Sequence, residues 1–324
     1  MSPRWWQARR VMQKPYRIGD LVCVRDVQVY PLPAGLRDAV KAALPPGEQM
    51  SRGFVVPADY RSPDGFAPPR VVPAQALLFT ANTVVHVQAP AQDAPAPPPT
   101  YIQPETLLWM RSSHLLLHGK LELVSAAAGE AARLEMEFNA VGWRLMQPEW
   151  HALVAEAIGV AVPAAETKAL PPLGEEQEEA YTLDEQAMLL VSAVPDKFVD
   201  GLGRYGLYTG EKLLGVVFQP ALWKENLIAF DEQLLPNTLV ALTDASVLIL
   251  HEEGALVRKS EQFGLIITRI PRRAIAGMEV AAGDPLCAVR FALACEGVAD
   301  EVGVSLGPEA VESWQELWNK QNQQ

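Results

Sequence analysis

Two stretches decide the fold: VPAQALLFTANTVVHV (Val72–Val87) and LPNTLVALTDASVLIL (Leu235–Leu250). They align without a gap. Pro73 meets Pro236, Thr80 meets Thr243, and Val84, Val85 and Val87 meet Val247, Leu248 and Leu250. Each reads as a strand, a tight turn at Ala81-Asn82 or Asp244-Ala245, and a second strand. Aliphatic and β-branched residues flank both turns, as strands prefer. Asn82 and Asp244 suit the turns because their side chains bond nearby backbone and tolerate left-handed conformations. A matched pair of hairpins implies that the chain carries one unit twice.

Further markers follow in the same order in each half. A Pro-led segment comes next, IQPETLLW from Ile102 and IPRRAIAG from Ile270. Period-2 alternation follows. Leu134, Met136 and Phe138 alternate with Glu135 and Glu137, and Val302, Val304 and Leu306 with Gly303 and Ser305. Cys287, Val289, Phe291, Leu293 and Cys295 share one face, and Leu121 and Leu123 begin a similar strand. Such alternation fits sheets with one buried face. Each half then ends in a helix, expected to open at Pro148-Glu149 and at Pro308-Glu309, where proline loses no intrahelical bond and glutamate complements the helix dipole. Val311, Trp314 and Trp318 form one apolar stripe, and Trp150, Leu153, Val154, Ala157 and Ile158 the other. Shorter helices are expected near Leu36–Leu44 and Asp184–Val199.

Residues 160–180 (VAVPAAETKALPPLGEEQEEA) are rich in Pro, Ala and Glu and poor in large apolar side chains, which suits an extended connection. The expected division is a first domain over 1–159, a linker over 160–180 and a second domain over 181–324. Ala89–Thr100 (APAQDAPAPPPT) reads as a Pro-stiffened loop inside the first. The fold class expected is α+β, mainly β. It consists of two tandem bent antiparallel sheets, each with its own core and closed by a C-terminal helix.

At 324 residues and 49% hydrophobic content, the chain has material for about two cored domains. No apolar run approaches the roughly 20 residues that cross a bilayer. The N-terminal stretch has no apolar core of a secretory signal, and three cysteines are too few for a disulfide framework. A cytoplasmic location is the expectation. The net charge of −12 disfavours general nucleic-acid binding. The charge is unevenly spread: residues 1–90 hold 11 Lys+Arg against 6 Asp+Glu, and residues 160–324 hold 12 against 25.

The run from Leu235 to Trp318 resembles the bacterial pleckstrin-homology-like domains, a group akin to GRAM domains. LVALTDASVLIL, RIPRRAIAGMEV and PEAVESWQELW carry the resemblance. The first half matches through Ala76–Val87 and Ile102–Leu108. The resemblance implies a bent seven-stranded sheet closed by a Trp-bearing C-terminal helix. It also implies members that bind lipids, peptides or proteins. Phosphoinositide-binding members use a basic cluster in the first hairpin. Here Lys212 and Lys224 stand beside Glu211, Glu225 and Asp231, which argues against headgroup binding at that place. Arg272 and Arg273, read as strand neighbours, point to opposite faces and form no cluster.

Catalytic signals are sparse. Gly201–Gly206 (GLGRYG) matches G-x-G-x-x-G, but a helix-like segment precedes it and strand-like sequence follows, the reverse of the dinucleotide context. It reads as a turn. His114 and His118 sit on one face, yet no further ligand lies nearby, so they read as edge or rim imidazoles rather than a metal pair. Cys23, Cys287 and Cys295 read as small core hydrophobes. No nucleophile elbow, Walker A or zinc-protease motif occurs. The most suggestive surface feature is the N-terminus, where Trp5 and Trp6 stand among Arg4, Arg9, Arg10, Lys14 and Arg17. Trp beside Arg anchors at membrane interfaces or grips partners; the plainer reading packs both indoles on their own domain. The expectation is a non-catalytic binding or scaffolding protein without cofactor or metal, with a protein or peptide partner. The alternative is a peripheral membrane protein that uses Trp5, Trp6, Arg9 and Arg10.

Overall fold

The computed structural model describes residues 25–26, 32, 34–44, 47–61, 70–90, 95–115, 118–139, 143–160, 183–208, 210–224, 232–252 and 264–322. Trp5, Trp6, Arg9 and Arg10, Cys23 and most of the 160–180 segment lie outside them. The protein is mainly β, with several antiparallel sheets and a C-terminal helix.

In the N-terminal half, β1 (Arg25–Asp26), β2 (Arg52–Val56), β5 (Gln75–Phe79), β6 (Val84–Gln88) and β7 (Thr100–Ile102) form one sheet in that order. A side hairpin, β3 (Asp59–Arg61) and β4 (Arg70–Val72), interrupts the sequence between β2 and β5. A 3-10 turn at Pro104–Thr106 leads into the meander β8 (Leu107–Leu115), β9 (His118–Ala127) and β10 (Glu130–Asn139). In the C-terminal half, β11 (Leu213–Gln219), β14 (Thr238–Thr243), β15 (Ser246–Glu252) and β16 (Leu265–Pro271) line up in the same way. The hairpin β12 (Leu222–Lys224) and β13 (Glu232–Leu235) again stands aside. A 3-10 turn at Arg272–Ala274 then leads into β17 (Ile275–Ala281), β18 (Cys287–Cys295) and β19 (Val298–Leu306).

The register repeats as well as the order. Phe79 faces Val84 across one turn, and Leu242 faces Val247 across the other, as the ungapped alignment requires. The side chain that holds each turn is the threonine, not Asn82 or Asp244. Thr80 Oγ1 accepts from the Thr83 amide at 3.0 Å, and Thr243 Oγ1 from the Ser246 amide at 2.7 Å. Asp244 instead accepts from the Lys212 amide at 2.9 Å. The two meanders share a bulge at the same place, Leu107/Trp109 and Ile275/Gly277. They also share a two-residue turn in which both residues have positive φ, Ala128-Gly129 and Glu296-Gly297. That turn matches the twist of the strands it joins.

Four local expectations, two of helices, one of a strand and one of a turn, need correction. The helix expected from Pro148 begins earlier, as α2 (Trp143–Ile158), with Pro148 inside it. Trp143 stacks on Phe138 at 6.1 Å and Met146 is buried, so core packing carries the helix through the proline. The helix expected over Asp184–Val199 is two: α3 (Glu185–Leu190), capped by Asp184 accepting from the Ala187 amide at 2.7 Å, and α4 (Asp196–Gly201), which starts after Pro195. Proline lacks the amide that a continuous helix needs there. Arg272 and Arg273 lie in the 3-10 turn, not on a strand. GLGRYG is no loose turn: Gly201 ends α4 and Leu202–Gly206 form a π-helical segment. Helix α1 (Ala34–Ala43) and α5 (Pro308–Asn322) form where expected.

The halves are joined by backbone. β16 pairs antiparallel with β8, from Leu265↔His114 to Arg269↔Met110, so the strands run β10-β9-β8-β16-β15-β14-β11 in one seven-stranded sheet. An apolar core lies between the first sheet, the β8–β10 meander and α2, centred on Phe54, Phe138, Trp143 and Trp150. A second lies between the seven-stranded sheet, β17–β19 and α5, centred on Phe291 and the fully buried Trp314. This second core also takes in Leu108, Trp109, Val124 and Ala126 of the first half, so the cores are shared rather than separate. Helix α1 covers the outer face of the first sheet, and α3 and α4 cover that of β11–β16. Cys287 and Cys295 are half-buried at the ends of β18, packed against the second core. Among the described residues, no helix is long and apolar enough to cross a membrane.

Candidate functional site

The most concentrated polar chemistry sits where the two halves meet. β16 is apolar except at Thr268 and Arg269, and the latter's side chain is 3% exposed. Its guanidinium meets Glu211, whose side chain is fully buried, at 2.8 Å. Glu211 follows Gly210 (φ +88°), just as Glu48 follows Gly47 (φ +84°) in the first half. Both glycines occupy the left-handed region that L side chains avoid, and each turns the chain into the first long strand of its sheet.

Both carboxylate oxygens of Glu211 and both terminal nitrogens of Arg269 have partners. Glu211 Oε1 accepts from Thr243 Oγ1 at 2.6 Å, Ser246 Oγ at 2.5 Å and Arg269 Nη1. Its Oε2 accepts from the Tyr208 amide at 3.2 Å. Arg269 Nη1 also donates to Ser246 Oγ at 2.7 Å, and Nη2 donates to the Gly206 carbonyl. The guanidinium lies 4.7 Å from the centre of the Tyr208 ring, a cation–π distance. Tyr208 belongs to the first-half core together with Trp150, and His151 of α2 meets its ring edge-on at 5.1 Å. Burial raises the phenol's pKa, against the pull of Arg269. Burial, and then the Arg269 charge, lower His151 to about 4. The imidazole is therefore neutral at neutral pH.

A cleft of about 390 Å³ opens beside this cluster, bordered by Leu183, Asp184, Ala187, Tyr208, Glu211 and Lys212. Glu211 accepts four hydrogen bonds and the Arg269 guanidinium is held on Glu211, Ser246 and the Gly206 carbonyl, so the two charges are engaged with groups of the protein itself. The cluster's chemistry is that of a clamp. It ties β16, the hairpin threonine and serine, the segment after α4, and helix α2 into one body.

The remaining candidates are dispersed. The β8–β9 register pairs His114 with Gly119 and Leu115 with His118, which sets the two histidines at alternating ladder positions and not on the one face expected of them. Among the described residues no three His, Cys, Asp or Glu side chains converge as a metal site would require. His86 is buried against Gln75 Oε1 at 3.0 Å, and desolvation lowers its pKa to about 4. His251 is lowered to about 4 by burial and by Arg111.

A different feature concerns backbone. The outer edge of β8 is taken by β16. β17 holds the same place in the C-terminal half, and among the described residues it pairs only with β18. Sequence reasoning missed both the clamp and the edge. The clamp had one signal, an arginine inside the apolar run LIITRI. The edge had none, because pairing between distant strands leaves no local mark. Comparison of the chain with family models, with curated proteins and with solved structures found no match.

Proposed function

We propose that this chain is a non-catalytic binding or scaffolding protein, built from two tandem pleckstrin-homology-like units fused through β8 and β16. The observation that carries this reading is the outer edge of β17, which has no paired strand among the described residues where its counterpart on β8 is filled. The repeated order of four matched strands (β2, β5, β6 and β7 against β11, β14, β15 and β16), 3-10 turn, three-stranded meander and helix supports the tandem arrangement. The self-contained Glu211–Arg269 cluster supports a structural use for the most buried charges. An open edge recognises an extended segment through main-chain hydrogen bonds.

The test is capture from a native lysate with the tagged full-length chain, identified by mass spectrometry. A reproducible, near-stoichiometric partner is expected, and repeated capture of none would overturn the reading. A second reading, peripheral membrane binding through Trp5, Trp6, Arg9 and Arg10, gains one observation. Met188, Leu189 and Leu190 of α3 are 49%, 76% and 36% exposed, an apolar patch of the kind that sits at interfaces. Co-sedimentation with anionic vesicles at low salt, lost on deleting residues 1–17, would favour it. No binding would end it.

A further inference from the structure

We infer that the outer edge of β17 docks an extended, basic peptide segment of another protein, antiparallel, across Met278–Ala281. This deepens the binding reading above and rests on it. The joint between the halves supplies the geometry. Matching Ile102 to Ile270 and the two bulges to one another puts Met110, Arg111, Ser112 and Ser113 of β8 on Met278, Glu279, Val280 and Ala281 of β17. The β8 residues pair with Ile266–Arg269 of β16. The C-terminal half thus carries, unfilled among the described residues, the backbone edge through which the first half already holds a strand.

The side chains around that edge select what can occupy it. On β8 and β9, Trp109, Val124 and Ala126 are buried in the second core. Their counterparts on the other meander are Gly277, Ala292 and Ala294, and both alanines are exposed. A third folded unit stacked there would bury little apolar surface, whereas a single strand needs only the backbone. The edge carries no proline and no lysine, the residues that ordinarily blunt such edges.

A second copy of the chain is the poorer occupant. The strand position that corresponds to Leu265–Ile267 in the first half is Pro97–Pro99, without one amide to donate. Pairing of β17 with itself about Val280 would bring the two Glu279 carboxylates to a diagonal spacing of about 7–8 Å, a like-charge contact. An incoming strand instead places one residue opposite Glu279, as Thr268 lies opposite Arg111 and accepts from its Nε at 2.9 Å. Glu279 is exposed, and residues 160–324 carry 25 acidic against 12 basic side chains. Lysine or arginine at that position satisfies both.

The probe is a synthetic peptide of Gly264–Pro271 carrying T268K, which puts lysine opposite Glu279. Hydrogen exchange of the full chain, read by mass spectrometry, should slow about tenfold over 275–282 at a peptide concentration ten times its Kd. A T268E peptide should bind about threefold more weakly, and the variant Glu279→Lys should reverse that order. Val280→Pro should abolish protection, and if it fails to fold, the charge reversal decides alone. Absence of protection over 275–282, or the same ranking of the two peptides on both proteins, overturns the inference. A lysate partner held equally by wild type and E279K overturns the β17 assignment while leaving the binding reading intact.

Discussion

Tyr101 and Arg269 occupy the same position in two matched strands, and they do different work. Tyr101 is 37% exposed and its hydroxyl donates to the Ala43 carbonyl at 2.9 Å, holding α1 to the first sheet. Arg269 is buried on Glu211, Ser246 and Tyr208 and holds one half to the other. The glutamates behind them differ likewise. Glu211 is saturated, whereas Glu48 Oε2 is buried without a hydrogen-bond partner among the described residues. One framework, used twice, has been sealed on itself at its first site and turned into a joint at its second.

The largest effect should come from breaking that joint. Arg269→Met leaves the Glu211 carboxylate buried without its cation, which costs about 3–5 kcal/mol. Tyr101→Phe removes one hydrogen bond worth about 1 kcal/mol. Urea titrations of both variants read the contrast directly, and equal losses would show that the two positions bear equal weight.

The next effect is a pH dependence. Burial holds His86, His151 and His251 at about 4 in the folded protein, below the ordinary histidine value of about 6.5 that applies to an unfolded chain. As pH falls from about 6.5 towards 4, the unfolded chain takes up protons that the folded one refuses. Stability is therefore present above the unfolded pKa and declines through that window, by up to about 1.4 kcal/mol per pH unit for each histidine. Two of the three belong to the first half. Denaturation midpoints at pH 7 and pH 5 should converge by one histidine's share in His86→Gln, and an unchanged slope would contradict the burial seen at His86.

Packing offers a finer contrast. Gly119 faces Phe138 across β9 and β10, and Cys287 faces Leu306 at the matching pair. A Cβ on Gly119 would fall within 3.0 Å of three Phe138 ring atoms. Gly119→Ala should therefore cost about 1–3 kcal/mol, and the double variant with Phe138→Leu should recover part of it. Additive losses in the double-mutant cycle would show that the two pairs are not volume-compensated. Smallest is the turn. Thr80→Ala removes the hydroxyl that holds its hairpin, at about 1 kcal/mol. Thr243→Ala should cost more, because that hydroxyl also serves Glu211.

These contrasts separate what the amino-acid order makes legible from what it hides. The hairpins at Thr80 and Thr243, the alternation through Phe138 and Leu306, and the helix from Pro308 are local, with spacing and turn chemistry contained within a few residues. Ala128-Gly129 and Glu296-Gly297 were equally local and readable as turns. The start of α2 was not, since Trp143 is recruited by Phe138 from the preceding strand and not by a capping signal. The β8–β16 ladder and the Glu211–Arg269 clamp join residues far apart in the chain. Nothing in the neighbourhood of Arg269 states which carboxylate it will meet.

The continuous sheet also bears on dissection. A polypeptide severed between residues 160 and 183 would yield two fragments, each lacking the ladder that now covers β8 or β16. Produced singly, either fragment would offer a bare, adhesive rim to its own kind. Produced together, they would have a template for reassembly, which makes this chain a natural starting point for a split reporter.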